Sequence, residues 1–581
     1  MSDARAFIND WLPKSILCLQ GYDRKTFVSD IVAGVTVGLV ALPLAMAFAI
    51  ASGVLPQSGL YCAIVAGFLI SALGGSRTQI GGPTGAFVVV VAGIVARYGL
   101  DGLYMCTVMA GVMLVILGVT GLGSAVKFIP RPVVVGFTNG IAVIIASTQI
   151  KDFFGLQVES VPGVFLARME VFARNFRTLS IHETSLGVLS IIVILFFSRF
   201  VKKVPGYIVA LFLGTALVVI FHLPVATIGT RFGGIPSGLP HLTIPTFRLD
   251  LMRPLISPAI TVAMLGAIES LMSAVVSDRM SGDKHNPNVE LIGQGVANIV
   301  SPLFGGLPAT GAIARTATNV RSGAKTPVAG MIHALTLLGI VLFAASLARF
   351  IPLAVLAGIL FVVAYNMGEW PEIPELLKLS RLEVGTWLVT FTLTVFADLT
   401  VAVEAGMILA ALIFIRKVTE TTTVAQVTDE YLREGHAHIL QHKEIPAYVT
   451  IYRIHGPFLF GATDKIDDIV HKLPELPPII ILRLRNMTAL DATGLQALEQ
   501  FADVVRASGR GLILCGAREQ PARLMHQSEF EEHVGAGNIS KSIAEALERA
   551  QTLHAEISGR PTGVPAAAHW RRRSTDVVPT K

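Results

Sequence analysis

The sequence predicts a polytopic α-helical membrane protein with about fourteen transmembrane segments, followed by a soluble α/β domain. Of the 581 residues, 52% are hydrophobic and only 15% are charged, and the mean hydropathy is +0.65. Soluble domains carry roughly 25% charged residues, so most of this chain is expected to lie in lipid. The apolar segments fill residues 28–418. At ~20 residues per span plus short loops, this length holds about fourteen spans.

The N-terminal arm, residues 1–27, is expected to be amphipathic and cytoplasmic. It carries Arg5, Lys14, Arg24 and Lys25, and the apolar run after it is too long for the apolar region of a signal peptide, so we expect no cleavable signal. With this end inside, the cations of most short loops also fall inside, and an even number of spans places both termini in the cytoplasm. These loop cations account for the net charge of +6 without a nucleic-acid partner.

The sequence patterns also argue against an enzyme. The four cysteines are scattered without CxxC spacing, which indicates neither a disulfide framework nor a metal site. No P-loop, metal-ligand cluster or nucleophile elbow is present in the sequence. We therefore expect a protein that is not an enzyme and needs no cofactor.

Seven spans are predicted in each half of the membrane region, about 28–223 and about 254–418. In the first half they fall near 28–51, 57–73, 81–96, 101–122, 130–149, 184–200 and 204–222. Pro43 is expected to break the first span, and 150–183 and 223–253 are expected to be loops. In the second half the spans fall near 255–277, 289–304, 309–325, 326–347, 352–367, 382–398 and 400–416.

The stretch Ser301–Lys325 is the most informative part of the membrane region. Helix breakers, Pro302 among them, open it, and a polar run with the single cation Arg315 in its middle follows. Irregular backbone at membrane depth is tolerated where it is buried in protein or lines a cavity. A half-helix beginning near Ala309–Thr310 would point its free N–H groups and positive dipole end at an anion. The alternative is an ordinary cytoplasmic loop rich in Gly and Thr.

An earlier stretch nearly repeats this one. GGPTGA at Gly81–Ala86 corresponds to GGLPATGA at Gly305–Ala312, and each follows one apolar segment and opens another. Matching broken helices in the two halves indicate a secondary-transporter site between them.

Glu269 lies in the middle of the eighth predicted span. A carboxylate at this depth is costly and is by default functional. Burial favours its protonated form and a nearby Arg315 favours its ionised form, a balance that suits binding a proton together with an anion. The alternative is a structural ion pair with Arg315.

Three polar residues of the ninth span, Glu290, Gln294 and Asn298, recur every four residues and therefore share one helix face. We expect them to hydrogen-bond between helices, with access from the cytoplasm to the site as the alternative.

Residues 420–555 alternate between strand and helix patterns, which predicts an α/β domain in the cytoplasm. The strands are expected at 448–456, 478–484 and 511–516, and the helices at 462–473, 492–508, 520–533 and 541–553. The tail 556–581, with Pro, Gly and three consecutive arginines, is expected to be disordered.

Several motifs in order resemble the SulP anion transporter (sulfate permease) family over about 24–555. They are AGVTVGLVALPLAMAFAIASGVLPQSGLY, LGGSR with GGPTGAF, and GAIESL, DKHNPNVELIGQGVAN and RTATN. The sequence most resembles the bacterial DauA-type dicarboxylate branch, and the soluble part resembles a STAS domain.

This resemblance implies two inverted seven-span repeats and a homodimer. A core domain of spans 1–4 and 8–11 would move against a gate domain of spans 5–7 and 12–14, with the substrate between the half-helices of spans 3 and 10. Where some relatives have a glutamine this chain has Leu44, and Ala314 replaces a serine, so those polar contacts are absent. The implied substrate-binding residues are Leu44, Phe48, Gly82, Pro83, Thr84, Thr310, Gly311, Ile313, Ala314 and Arg315.

In the STAS-like domain the key turn is Leu490–Gly494. Relatives that antagonise anti-sigma factors are phosphorylated on a serine directly after the aspartate, but this chain has Ala492 there. Thr493 supplies the hydroxyl group that phosphorylation would need, but nothing in the sequence supports it in that role. We expect Asp491 to be a helix N-cap. Docking of a cytosolic partner and dimerisation both stay open as roles of this domain.

The function predicted from the sequence is secondary anion transport by alternating access in the bacterial inner membrane. The branch resemblance favours C4-dicarboxylates with proton symport through Glu269; Na⁺-coupled bicarbonate and proton-coupled sulfate transport are the alternatives. An anion channel and a membrane-tethered sensor acting through its STAS domain are alternatives of other classes.

Overall fold

The computed structural model describes residues 11–123, 130–158, 161–201, 205–242, 246, 248–397, 399–427 and 445–559. The chain forms two compact units, Met1–Ala410 and Ala411–Lys581. The ten residues at the N-terminus and residues 560–581, most of the predicted tail, lie outside the described residues.

The first unit is almost entirely helical. Its first half contains α1 Lys14–Cys18, α2 Arg24–Ala51, α3 Pro56–Leu73, α4 Gly85–Val119, α5 Arg131–Phe154, α6 Phe165–Asn175, α7 Ile181–Phe200 and α8 Gly206–Phe221. Its second half contains α9 Ile228–Phe232, α10 Leu249–Ser281, α11 Pro287–Val300, α12 Ile313–Arg321, α13 Val328–Ala348, α14 Leu353–Met367, α15 Ile373–Leu376 and α16 Arg381–Phe396. Helix α17, Leu399–Thr421, contains the boundary between the two units.

Every predicted span coincides with a helix or with part of one. Spans 3 and 4 are joined in α4, which is interrupted at Gly99 by a non-helical φ of 71°. Within the described residues, eight helices are long and apolar enough to cross a membrane by length and composition, and α8 is a shorter apolar helix. The total of about fourteen crossings therefore stays a prediction.

Three local predictions are wrong. Helix α2 runs through Pro43 without a break, because surrounding helices can keep a membrane helix continuous past a proline that removes only one backbone N–H. The predicted loop 150–183 contains α6, whose apolar residues recur at helical spacing among charges that obscure the pattern. The predicted loop 223–253 contains the short helix α9.

The helices pack in two groups. One group consists of α2, α3, α4, α10, α11, α12 and α13. The other consists of α5, α7, α8, α14 and α16. The two groups correspond to the core and gate domains that the family resemblance implies.

A short crossing of two extended segments lies inside the first group. Strand β1, Gly81–Gly82, pairs antiparallel with β2, Thr310–Gly311, with Gly82 opposite Thr310. Helices α4 and α12 begin a few residues after these strands, so each is a half-helix entered from the crossing. The half-helix of span 10 begins at Ile313, later than predicted, because this pairing holds the preceding residues extended.

The second unit is a five-stranded sheet with helices on both faces. Its strands are β3 Thr423–Gln426, β4 Val449–Phe458, β5 Ile479–Leu490, β6 Gly511–Cys515 and β7 Ile539–Ser540, in the order β3-β4-β5-β6-β7. Only the β3–β4 pair is antiparallel. The helices are α18 Asp464–Lys472, α19 Ala492–Ala507, α20 Glu519–Gln527, α21 Glu531–Val534 and α22 Ile543–Ser558.

Alternate residues of the central strands build two separate apolar cores. In β5, Ile480 and Leu482 enter one core and Ile479 and Ile481 enter the other. A strand covered on both faces is continuously apolar, which is the pattern that predicted it. The sequence did not predict β3 and β7, and the helix expected at 520–533 is two helices, α20 and α21.

Candidate functional site

A cavity of about 360 Å³ lies between the two helix groups of the membrane unit. Its wall includes residues of α2, α10 and α12 on the core side and of α5, α8, α14 and α16 on the gate side. Of the residues predicted for the site, those in the wall are Leu44, Phe48, Thr84, Glu269, Gly311, Ile313, Ala314 and Arg315. Gly82, Pro83 and Thr310 do not line the cavity.

Arg315 is the cation of this cavity. Its side chain is only 2% exposed, and Nη2 donates a hydrogen bond to the carbonyl oxygen of Pro83, which precedes the other half-helix. Its Nη1 has no partner among the described residues. A buried N–H group without a partner is costly, and a charge-assisted hydrogen bond to an anion would remove that cost.

Gly82 and Pro83 therefore contribute by holding Arg315 rather than by lining the cavity. Gly82 has a φ of +143°, and a Cβ atom there would lie 2.8 Å from Arg315 Nη1. Thr310 is fully buried, and its Oγ1 donates a 2.9 Å hydrogen bond to the carbonyl oxygen of Gly266. These three residues fix the crossing from which both half-helices start.

Glu269 borders the cavity from α10. Thr84 Oγ1 donates a 2.9 Å hydrogen bond to Glu269 Oε2. No hydrogen bond or ion pair joins Glu269 to Arg315 in the described part of the chain. The direct ion pair considered as an alternative is therefore not formed, and the carboxyl group is tied to the start of α4 instead.

The polar face of α11 holds the backbone around the crossing. Glu290 Oε2 accepts hydrogen bonds from the backbone N–H groups of Gly75 and Ser76, at 2.9 and 3.0 Å. Asn298 donates to the carbonyl oxygen of Ala309 at 2.9 Å and accepts from its N–H at 2.8 Å, and Gln294 also donates to that carbonyl. These contacts fit the predicted interhelical role.

The gate side of the cavity was missed by sequence reasoning. It is lined by residues from four gate helices and from the segment after α14, among them Val133, Phe137, Tyr207, Asn366 and Glu369. Asn366 and Glu369 were the available signal, since both are polar and flank the end of a predicted span.

In the second unit Asp491 is the N-cap of α19. Its Oδ1 accepts a 2.7 Å hydrogen bond from the N–H of Gly494, and its Oδ2 accepts one of 3.1 Å from Phe460. Ala492 and Thr493 are exposed in the first turn of the helix. The structure thus gives Asp491 the capping role that its position predicted.

A buried, partly unsatisfied arginine between two half-helices, in a cavity between two helix groups, is an arrangement that suits a helical anion transporter. Residues 27–390 match the Sulfate permease family and residues 439–546 match the STAS domain. The chain belongs to the sulfate permease family.

Several relatives match over most of their length, among them YvdB and BicA. YvdB of Bacillus subtilis (strain 168), provisionally named a sulfate transporter, is 40% identical over 518 residues, which cover 89% of this chain and 96% of YvdB. The bicarbonate transporter BicA of Picosynechococcus sp. is 31% identical, with 90% of this chain and 94% of BicA covered. Because the relatives are named as transporters, the chain is a transporter and not an enzyme.

Solved structures agree with the fold. The transmembrane domain of a cyanobacterial BicA has a TM-score of 0.60 and 35% identity, covering 66% of this chain and 98% of that one. The structure of SLC26A9 has a TM-score of 0.83 and covers 96% of each chain at 17% identity, which shows the shared fold alone.

Proposed function

We propose that this protein is a secondary active transporter of a small oxyanion that works by alternating access in the bacterial cytoplasmic membrane. The observation that carries the proposal is Arg315, a buried arginine of the cavity wall whose Nη1 has no partner among the described residues. An anion bound there would accept from Arg315 and lie near the N-terminus of α12. The cavity between core and gate groups is where a rocking movement would expose and cover it.

The charges of the site favour a monovalent substrate. In the described wall of the cavity, the cation is Arg315 and the two carboxyl groups are those of Glu269 and Glu369. One negative charge on the substrate offsets the positive charge of Arg315. A second negative charge would be repelled by the carboxylates, and the repulsion is strong in the low-dielectric interior of the membrane unit. We therefore place bicarbonate first and sulfate second, in keeping with the names of the relatives. The C4-dicarboxylates favoured by the branch resemblance come third.

Glu269 is the proposed coupling group. It shares the cavity with Arg315 but forms no ion pair or hydrogen bond with it, so its charge can change while the anion is bound. Protonation removes a negative charge beside the substrate, which links proton binding to anion binding. Na⁺ bound to the same carboxylate is the alternative.

Three further features stay predictions. The loop cations favour cytoplasmic termini, and the resemblance implies a homodimer and leaves a cytosolic partner of the STAS domain open. Light scattering of the detergent-solubilised protein would test the dimer.

The test is uptake of radiolabelled bicarbonate, sulfate and succinate into proteoliposomes, each with a proton gradient, a Na⁺ gradient or neither. Arg315→Ala should abolish uptake of the transported anion, and Glu269→Gln should abolish accumulation above equilibrium. The matched controls are Arg321→Ala, an exposed arginine of the same helix, and Glu170→Gln, an exposed glutamate.

Accumulation of one anion that needs Arg315 and a cation gradient supports the proposal and identifies substrate and coupling ion. Uptake that never exceeds equilibrium would indicate an anion channel. Uptake that is indifferent to Arg315 would refute the site.

A further inference from the structure

A second cavity, of about 340 Å³, lies at the N-terminal end of α2. Its wall comes from the segment between α1 and α2, the first turns of α2, the loop after α3 and the loop after α12. The side chains that matter here are Tyr22, Lys25, Ser29, Arg77 and Lys325. It shares no lining residue with the cavity around Arg315. We call it the basic pocket.

The basic pocket collects three cations without a carboxylate in its described wall. Lys25 and Lys325 are exposed, and neither forms an ion pair with a described residue. Arg77 is half-buried, and its Nε donates a 2.6 Å hydrogen bond to the carbonyl oxygen of Lys325. That bond holds Arg77 in the wall and leaves its two terminal amino groups without partners among the described residues. Like charges so placed repel each other unless an anion lies between them.

Asp30, fully buried beside the basic pocket, does not cancel this charge. Its Oδ1 accepts hydrogen bonds from the N–H groups of Lys325 at 2.7 Å and Thr326 at 3.2 Å, and its Oδ2 accepts one from the Tyr22 hydroxyl at 3.1 Å. Burial, together with the charge of Asp30, raises the pKa of Tyr22 to about 12, so this phenol is neutral at physiological pH. Two further carboxylates lie nearby: Asp23 next to Lys25, and Asp283, which pairs with Lys14 at 2.9 Å. Counting Lys14, Lys25, Arg77 and Lys325 against Asp23, Asp30 and Asp283 leaves a net charge of +1, with the three cations of the wall on the side of the basic pocket.

Apolar side chains are exposed next to the basic pocket. Leu19 is 59% exposed just before it, and Phe27, Val28 and Val32 of α2 are 44%, 52% and 55% exposed. A polar cavity of positive charge bordered by exposed apolar side chains matches a phospholipid, whose phosphate is anionic and whose chains are apolar.

We propose that the basic pocket binds a phosphate group through Lys25, Arg77 and Lys325. The apolar border favours an anionic phospholipid as its source, and a soluble phosphate compound would offer the same charge and acceptor oxygens. A ligand there would join the start of α2 to the loop between α12 and α13. The inference does not depend on which anion the protein transports.

The test is native mass spectrometry of the full-length protein, delipidated in detergent and titrated with phosphatidylglycerol, phosphatidylcholine or pyrophosphate. The variant is Lys25→Gln with Lys325→Gln; both side chains are exposed and form no ion pair with a described residue. The control is Lys378→Gln with Arg381→Gln, which removes the same charge from exposed positions outside the basic pocket.

We expect the parent to bind phosphatidylglycerol at least about tenfold more tightly than phosphatidylcholine, and the variant in the basic pocket to lose at least about tenfold in that affinity. The control should change by less than about twofold. Loss of pyrophosphate binding alone in the variant would support a phosphate site with a soluble source. Equal loss in variant and control, no loss in either, or no binding of either phosphate compound by the parent would overturn the proposal.

Discussion

Gly82 and Arg315 lie in direct contact, and the space at the glycine is what admits the guanidinium. The guanidinium reaches from α12 to the carbonyl of Pro83, and the absence of a side chain at Gly82 leaves the space that Nη1 occupies. The glycine also has a φ of +143°, which other residues rarely adopt. The position of the cation thus depends on a residue far away in the sequence.

Gly82→Ala should therefore lower uptake of the transported anion by about tenfold or more, since misplacing one charged hydrogen bond costs about 1.5–3 kcal/mol. The comparison is Gly93→Ala, where an added Cβ meets nothing within 4 Å. Initial uptake rates in proteoliposomes measure both. Equal rates for parent and Gly82→Ala would show that the guanidinium does not need this space.

Glu290 is expected to stabilise the fold rather than to bind the substrate. Its carboxylate accepts from two backbone N–H groups and from the Ser270 hydroxyl. Glu290→Gln puts an amide where an acceptor is needed and should cost about 1–3 kcal/mol of stability. Thermal unfolding in detergent measures this, with the exposed Glu375→Gln as control. A melting temperature unchanged from the parent would contradict the assignment.

For helices and strands, local patterns predicted helices well and long-range pairing poorly. The spans were found because apolar length is a property of the local sequence. The start of α12 was misplaced because β1 pairs with β2 across more than half of the membrane unit, and no local pattern records a partner at that distance. The strands β3 and β7 were missed because both are short edge strands, four and two residues long.

Some helices cross closely because both have a glycine at the crossing point. Helices α4 and α11 approach at Gly111 and Gly295, where a Cβ on Gly295 would lie 2.6 Å from the carbonyl oxygen of Gly111. Gly295→Val should prevent this packing and sharply reduce the yield of monodisperse protein, because the atom that must move is backbone. Gly339→Val is the control, since nothing lies within 4 Å of its Cβ position. Size-exclusion chromatography compares the two, and normal yield of both would refute the close approach.

The core side of the cavity between the two helix groups was predictable from the sequence, and the gate side was not. The sequence identifies the core-side residues by their motifs or by their position in a span. Thr84 lies in the first glycine-rich motif, Arg315 opens the RTATN motif, and Glu269 is a carboxylate in the middle of an apolar span. Tyr207 and Asn366 come from helices of another packing group, and only the docking of that group places them at the site. The rotation of each gate helix about its axis decides which of its residues face the cavity. A single sequence does not contain that rotation.

The two compact units should also fold separately. The second unit has two apolar cores of its own, so a fragment of residues 422–559 is expected to be soluble and to unfold cooperatively.

Cys515 is the one cysteine of this fragment, and burial raises the pKa of the Cys515 thiol to about 11. Reaction with a thiol reagent at pH 7 should be at least about a hundredfold slower in buffer than in denaturant. Rapid reaction in buffer would show that the fragment does not keep its fold.

The crossing of β1 and β2 gives the bound anion a further effect, that of a cross-link. An ion held between α12 and the start of α4 connects two distant stretches of one chain, and it is released when the membrane unit melts. Such a ligand raises the unfolding free energy by RT ln(1 + [L]/Kd), about 2.7 kcal/mol at a concentration of 100 Kd. Melting curves in bicarbonate, sulfate and succinate should therefore rank these anions, and the ranking should vanish in Arg315→Ala. An identical ranking in that variant would mean that the salts act on the protein without entering the site.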